Sequence, residues 1–97
     1  MENRKHFNRE PSIGERVIAY DRDGSIKIGT VTGGMQVPCA AYVCRLILDG
    51  DQKRKEWRYN LEDLEPIPEQ YRRVSDSKDL AELIRLRNKW GFNITFE

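Results

Sequence analysis

Through the first two thirds of this 97-residue chain the apolar residues come in short clusters separated by glycine- and aspartate-rich breaks; only near the end do they recur at helical spacing. Val17, Ile18, Ala19 and Tyr20 make one strand-like run and residues 26–32 a second. Between them, Asp21-Arg22-Asp23-Gly24-Ser25 supplies aspartates that bond their own backbone and a glycine that tolerates positive φ. The spacing therefore predicts a hairpin over 17–32. Gly33, Gly34 and Pro38 then predict a loop over 33–38. Residues 41–48 read as the strongest strand, ending in the turn Asp49-Gly50-Asp51, and 53–59 as its partner. A tight helical turn over 60–63 and a short strand closed by Pro68 follow. Asp76 or Ser77 can cap a helix that runs to about Trp90 and stops at Gly91. Last, Phe92, Ile94 and Phe96 alternate with polar residues as a half-buried strand does.

Parity along these strands predicts two apolar faces. If Val17, Ala19, Gly29 and Val31 point inward, then Ile18, Tyr20, Ile26 and Ile28 point outward, more than a bare outer face usually carries. Their expected cover is the helix face of Leu80, Leu83, Ile84, Leu86 and Trp90; a partner protein is the alternative. Arg87 falls inside that helix face. Its stem is expected to lie on apolar surface with the head in water, the alternative being an acid across the contact. The terminal strand at Phe92, Ile94 and Phe96 either adds to an open sheet edge or pairs with a second copy as a homodimer contact.

Composition narrows the class. With 38% hydrophobic and 34% charged residues the chain suits one small domain with a modest core. No run approaches the roughly 20 apolar residues of a membrane span. The polar start MENRKHFNREPS lacks an apolar signal region, so a cytoplasmic location is expected and residues 1–12 read as a flexible basic arm with Phe7 its only anchor. A net charge of +1 gives no global drive toward nucleic acid, so such binding has to come from a local patch. Cys39 and Cys44 read as free thiols, and with His6 as the single histidine, in the tail, a closed zinc site is not expected.

In their order, the Gly-Glu-Arg-Val opening at 14–17, the Val-Ile-Ala strand, the Asp-Gly turn, the Gly-Thr-Val second strand, the third strand ending in Asp-Gly-Asp and the Leu-Glu-Asp-Leu-Glu-Pro-Ile exit resemble the small SH3-like barrels of the Tudor type over residues 13–68. The resemblance implies a mainly β fold, a five-stranded SH3-like barrel, to which residues 69–97 add a C-terminal α-helix and a short terminal strand. It also implies a non-catalytic reader, which in that family recognises methylated ammonium groups with an aromatic cage. Here the cage positions align with Asp21, Lys27 and Leu48, so only the adjacent Tyr20 could contribute. A weaker similarity, in the Gly-x-Arg-Val opening and the Tyr59 to Ile67 exit, is to the type II dihydrofolate reductases. Their Val-Gln-Ile-Tyr signature aligns with Glu56-Trp57-Arg58-Tyr59 and keeps only the tyrosine.

Catalytic chemistry is not expected. The serines fall at turns or caps, and the paired carboxylates Asp21 with Asp23, Asp49 with Asp51, and Glu62 with Asp63 sit where turns account for them. No cofactor and no metal site is expected. The leading expectation is an adaptor-type module that binds a protein through Ile18, Tyr20, Ile26, Ile28 or the terminal Phe92, Ile94 and Phe96. The alternative is nucleic-acid binding through Lys53, Arg54, Lys55, Trp57, Arg58 and Tyr59, joined by Arg45 and Lys27, where cations and stacking surfaces combine. Against it stands a purely solubilising hairpin whose Lys and Arg balance Asp49, Asp51 and Glu56.

Overall fold

The computed structural model describes residues 7–38 and 42–90. The terminal strand positions Phe92, Ile94 and Phe96, together with His6 and Cys39, lie outside the described residues. Five strands, β1 (Arg16–Tyr20), β2 (Ile26–Gln36), β3 (Tyr42–Leu48), β4 (Glu56–Asn60) and β5 (Leu64–Pro66), precede the helix α1 (Ser77–Trp90), with short 3-10 turns at Leu61–Asp63 and Glu69–Tyr71. They form one antiparallel sheet in the order β4-β3-β2-β1-β5, which leaves β4 and β5 as its edges. The protein is thus mainly β, an open five-stranded sheet with one C-terminal helix.

Local chemistry sets each junction. In the β1–β2 turn Gly24 sits at φ 88° and the Asp23 carboxylate accepts the Ser25 amide at 2.9 Å. At the helix start Asp76 accepts the amides of Lys78 and Asp79 at 2.8 and 3.1 Å, satisfying two otherwise orphaned donors. The expected loop over 33–38 is overturned in all but its last two residues: β2 continues through Gly33 and Gly34 to Gln36. What the glycines mark is an irregularity in the β2–β3 ladder between Val31 and Gly33. The extra residue, Thr32, reverses the inward and outward alternation, so Gly33 and Met35 face out where unbroken pairing would have turned them in.

Two cores lie on the two faces. The inner one gathers Val17, Ala19, Val31, Cys44, Leu46 and Leu64, with Tyr42, Leu48, Tyr59, Leu61 and Phe7 packed around it. Phe7 and the bidentate Arg9–Glu15 pair hold residues 7–12 against the sheet, so this part of the expected arm is anchored. Gly29 admits the close passage of β3, since a Cβ there would stand 3.0 Å from the Ile47 carbonyl. Cys44 is a buried free thiol, pushed upward in pKa first by burial. The outer core joins Ile18 and Ile28 to Leu80, Leu83 and Ile84 of α1 and to Tyr71 and Val74 of the connector, with Tyr20, Ile26 and Ile67 partly buried beside them. Ile18 is wholly buried and Ile28 is 3% exposed, which removes both from the surface as docking residues. Trp90, expected on the buried helix face, is 58% exposed.

Arg87 does not snorkel. It is 4% exposed and meets Glu65, itself wholly buried in β5, through two bonds, Nη1 to Oε2 at 2.6 Å and Nη2 to Oε1 at 2.7 Å. The Tyr20 hydroxyl donates to Glu65 Oε1 at 2.6 Å and accepts the Asn88 amide at 3.1 Å, while Asn88 Oδ1 accepts from Arg87 at 2.9 Å. Among the described residues no buried side-chain polar atom lacks a partner. Taking away one member strands the other charge. Arg87→Ala is therefore expected to cost about 3–5 kcal/mol, a large share of the ~5–15 kcal/mol that holds a domain together. The double change Glu65→Gln with Arg87→Met should recover most of that loss, read as the urea midpoint; equal midpoints for the single and double variants would contradict it.

Candidate functional site

The outer face that α1 covers over β1 and the start of β2 continues, bare, across β3 and β4. Register places Arg45 directly opposite Arg58 and, on the other side, opposite Gly33. Like charges in a direct cross-strand pair repel. They coexist here because the Arg45 guanidinium leans over Gly33, where a Cβ would collide with it. Met35, Val37 and Val43 complete a groove of about 370 Å³ with these arginines. Met35 is 63% exposed.

The other residues expected at this surface are split from that pair. Trp57 and Tyr59 sit opposite Leu46 and Cys44, on the inner side of the sheet where it opens. With Asp21, Arg22, Lys27, Leu48, Asp49 and Asp51 they line a second groove of about 640 Å³. Trp57 is 42% exposed, and the Lys55 ammonium stands 4.4 Å from its ring centroid, a cation–π contact. The Tyr59 hydroxyl donates to Asp21 at 2.6 Å; burial first, then that carboxylate, pushes the phenol well above its ordinary pKa. The three positions aligned with an aromatic cage, Asp21, Lys27 and Leu48, thus do share one groove, with Trp57 and Tyr59 of β4 as its aromatic walls. The alignment does not show that contribution because it comes from β4, a strand that carries none of the three aligned positions.

Lys53 and Arg54 belong to the turn between β3 and β4, not to β4, which begins only at Glu56. Asp51 organises that turn by accepting the amides of Lys53 and Lys55, both at 3.1 Å. The purely solubilising reading requires these cations to be balanced by their acidic neighbours. They are not paired: Asp49 binds Arg16 at 2.7 Å and the Ser77 hydroxyl, Glu56 is bonded to the Thr32 hydroxyl, and Asp51 serves the turn. Among the described residues no ion pair involves Lys27, Arg45, Lys53, Arg54 or Arg58. Between residues 42 and 60 five cations face three carboxylates. Of the expected protein-docking positions, Tyr20 and Ile26 remain partly exposed but pack against the outer core.

Among the described residues no helix is long and apolar enough to cross a membrane, and no group of three or more His, Cys, Asp or Glu side chains is gathered as a metal site would require.

Arg54 occupies the left-handed region at φ 52°, which costs a non-glycine residue about 1–2 kcal/mol. Arg54→Gly is expected to raise unfolding stability by up to about 1 kcal/mol, the relief being partly offset by glycine's chain entropy. A urea titration showing a clear loss would contradict that reading of the turn. The phenols give a second expectation. Tyr20, like Tyr59, is raised by burial first and then by its bond to a carboxylate. The native state keeps these protons when the unfolded chain releases them near about pH 10, so stability should fall as pH rises through that value. Urea midpoints compared from roughly pH 8 to pH 11 check this, and Tyr59→Phe should flatten the decline.

Compared with protein-family models, curated proteins and solved structures, the chain matches none.

Proposed function

We propose that the protein is a non-catalytic binding module with a small SH3-like barrel of the Tudor type at its centre, and that its working surface is the β3–β4 hairpin, which takes nucleic acid. A β1 that pairs with both β2 and β5, a long β2 with a ladder irregularity, and a 3-10 turn leading into β5 support the fold reading. The observation that carries the functional reading is the Arg45–Arg58 pair: two arginines opposed in register across β3 and β4 that line one groove, without an acidic partner among the described residues. An anion in the groove that both arginines line would gain charge-assisted contacts and offset their like charge. The uncommitted Lys53, Arg54 and Lys27 extend that potential, and Trp57 supplies an exposed stacking face.

The adaptor reading keeps less support at the positions expected for it. Ile18 and Ile28 are covered by α1, and Tyr20 is tied into the Glu65–Arg87 network.

Binding of a labelled oligonucleotide should be measurable by anisotropy at low salt and should fall steeply as salt rises. Arg45→Ala with Arg58→Ala should weaken it and reduce the slope of log K against log salt by about 1.4, at roughly 0.7 per phosphate contact on a single strand. A slope unchanged in that variant would refute the assignment of these arginines. No binding at low salt would refute the nucleic-acid reading and leave a protein partner.

A further inference from the structure

We infer that the ligand is a single strand that passes over the free edge of β4, with its phosphates on the outer face and a base on the inner one. The inference rests on the nucleic-acid reading and goes further, because it fixes the form of the ligand and its path.

Trp57 and Arg58 are consecutive residues of a strand, so their side chains project to opposite faces of the sheet. Register confirms the division. Arg58 lies with Arg45 on the outer face, while Trp57 lies with Leu46 on the inner. The two grooves divide the same way, Arg45 and Arg58 lining one, Trp57 and Tyr59 the other. No ligand lying flat on one face touches both sets. The two sets are nevertheless separated only by the thickness of β4, and β4 is an edge: among the described residues no strand lies outside it. Its residues are exposed along its length apart from Tyr59.

A chain that bends within a few nucleotides can turn over such an edge. A duplex cannot, since double-stranded DNA stays stiff over about 150 base pairs and bending it sharply is costly. A third groove helps to mark the path. It is lined by residues 57–60 of β4 together with Tyr20, Asp21, Arg22 and Asp63, so it contains residues of both faces. On the inner side a base meets the indole where Lys55 now sits, 4.4 Å from the centroid. Stacking takes over that ring face and frees the ammonium for the adjoining phosphate. Tyr59 is held by its bond to Asp21, which fixes the wall of the groove against which the base lies.

The test compares a labelled single-stranded oligonucleotide of about twelve nucleotides, within the usual site sizes, with the same sequence as a duplex. The protein is the full chain carrying Trp90→Phe, a change at an exposed position that leaves Trp57 as the only tryptophan. The single strand should bind roughly 10-fold or more tightly than the duplex and quench Trp57 emission; the duplex should leave the emission unchanged. Trp57→Ala should cost the single strand roughly 10-fold and the duplex nothing, whereas Arg45→Ala with Arg58→Ala should weaken both. Circular dichroism of each variant confirms that it is folded, and Trp57→Phe, which keeps a stacking face, should restore most of the affinity lost in Trp57→Ala. Equal affinity for the two forms, with Trp57 silent, would overturn the path over the edge while the nucleic-acid reading stands. Binding of neither form at low salt would overturn both.

Discussion

The Glu65–Arg87 pair is the contact on which the architecture turns, because it ties the last strand of the sheet to the helix through two buried charges 22 residues apart. Net stabilisation is not its main contribution. A buried ion pair is often no better than well-packed apolar residues of the same volume, since desolvation offsets the attraction. Three helix side chains, Leu80, Leu83 and Ile84, supply most of the docking energy at roughly 1.5–3 kcal/mol for each side chain buried. Apolar contact alone, however, tolerates sliding and rotation. A guanidinium bonded through two nitrogens to one carboxylate does not, because any shift leaves a buried charge without its partner. Tyr20 and Asn88 close the remaining valences, so β1, β5 and α1 share one geometry.

That docking decides which surface is left open. The outer face of the sheet runs from β5 and β1 to β4, and α1 covers its first half, including the row Ile18 and Ile28 that would otherwise be the obvious apolar docking face. What stays open is the half on β3 and β4, where the outward residues include Arg45, Arg58, Met35 and Val43. The irregularity at Thr32 contributes here, since it turns Gly33 outward beneath Arg45, and glycine is the residue that lets the guanidinium settle there.

Much of the fold could be read from residue order, because strand parity and turn chemistry are local. Ile18 and Ile28 declared an outer face in need of cover, and the helix period of Leu80, Leu83 and Ile84 declared what could cover it. Glu65 was hidden for the opposite reason: in Leu-Glu-Asp-Leu-Glu-Pro it looks like one more surface acid, and its partnership with Arg87 exists only after the sheet and helix have met. Gly33 and Gly34 misled because glycine marks both loops and ladder irregularities, and only the pairing register distinguishes them. The basic hairpin was legible as composition, but its division between two faces required β4 to start at Glu56, three residues later than the charge run suggests. Tyr71 and Val74 reached the core from a connector that shows no periodicity to announce them.

The hairpin departs from local rules that Glu65, Arg87 and the helix start obey. The carboxylate of Glu65 and the guanidinium of Arg87 are fully partnered, and the helix start is capped by a matched side chain. By contrast, Arg45 stands opposite Arg58 in register, a like-charge pairing on a scale of roughly 0.2–1 kcal/mol, and Arg54 holds a left-handed turn position at about 1–2 kcal/mol. Trp57 leaves two fifths of its surface in water. Each departure could be removed by one substitution at the surface without touching either core, so folding does not require them. Sequences that are consistent elsewhere tend to depart from consistency where a ligand compensates. The two cationic departures and the exposed indole, gathered on a single hairpin, are the features on which the nucleic-acid proposal rests, since that ligand carries negative charge spaced along a chain with flat rings between.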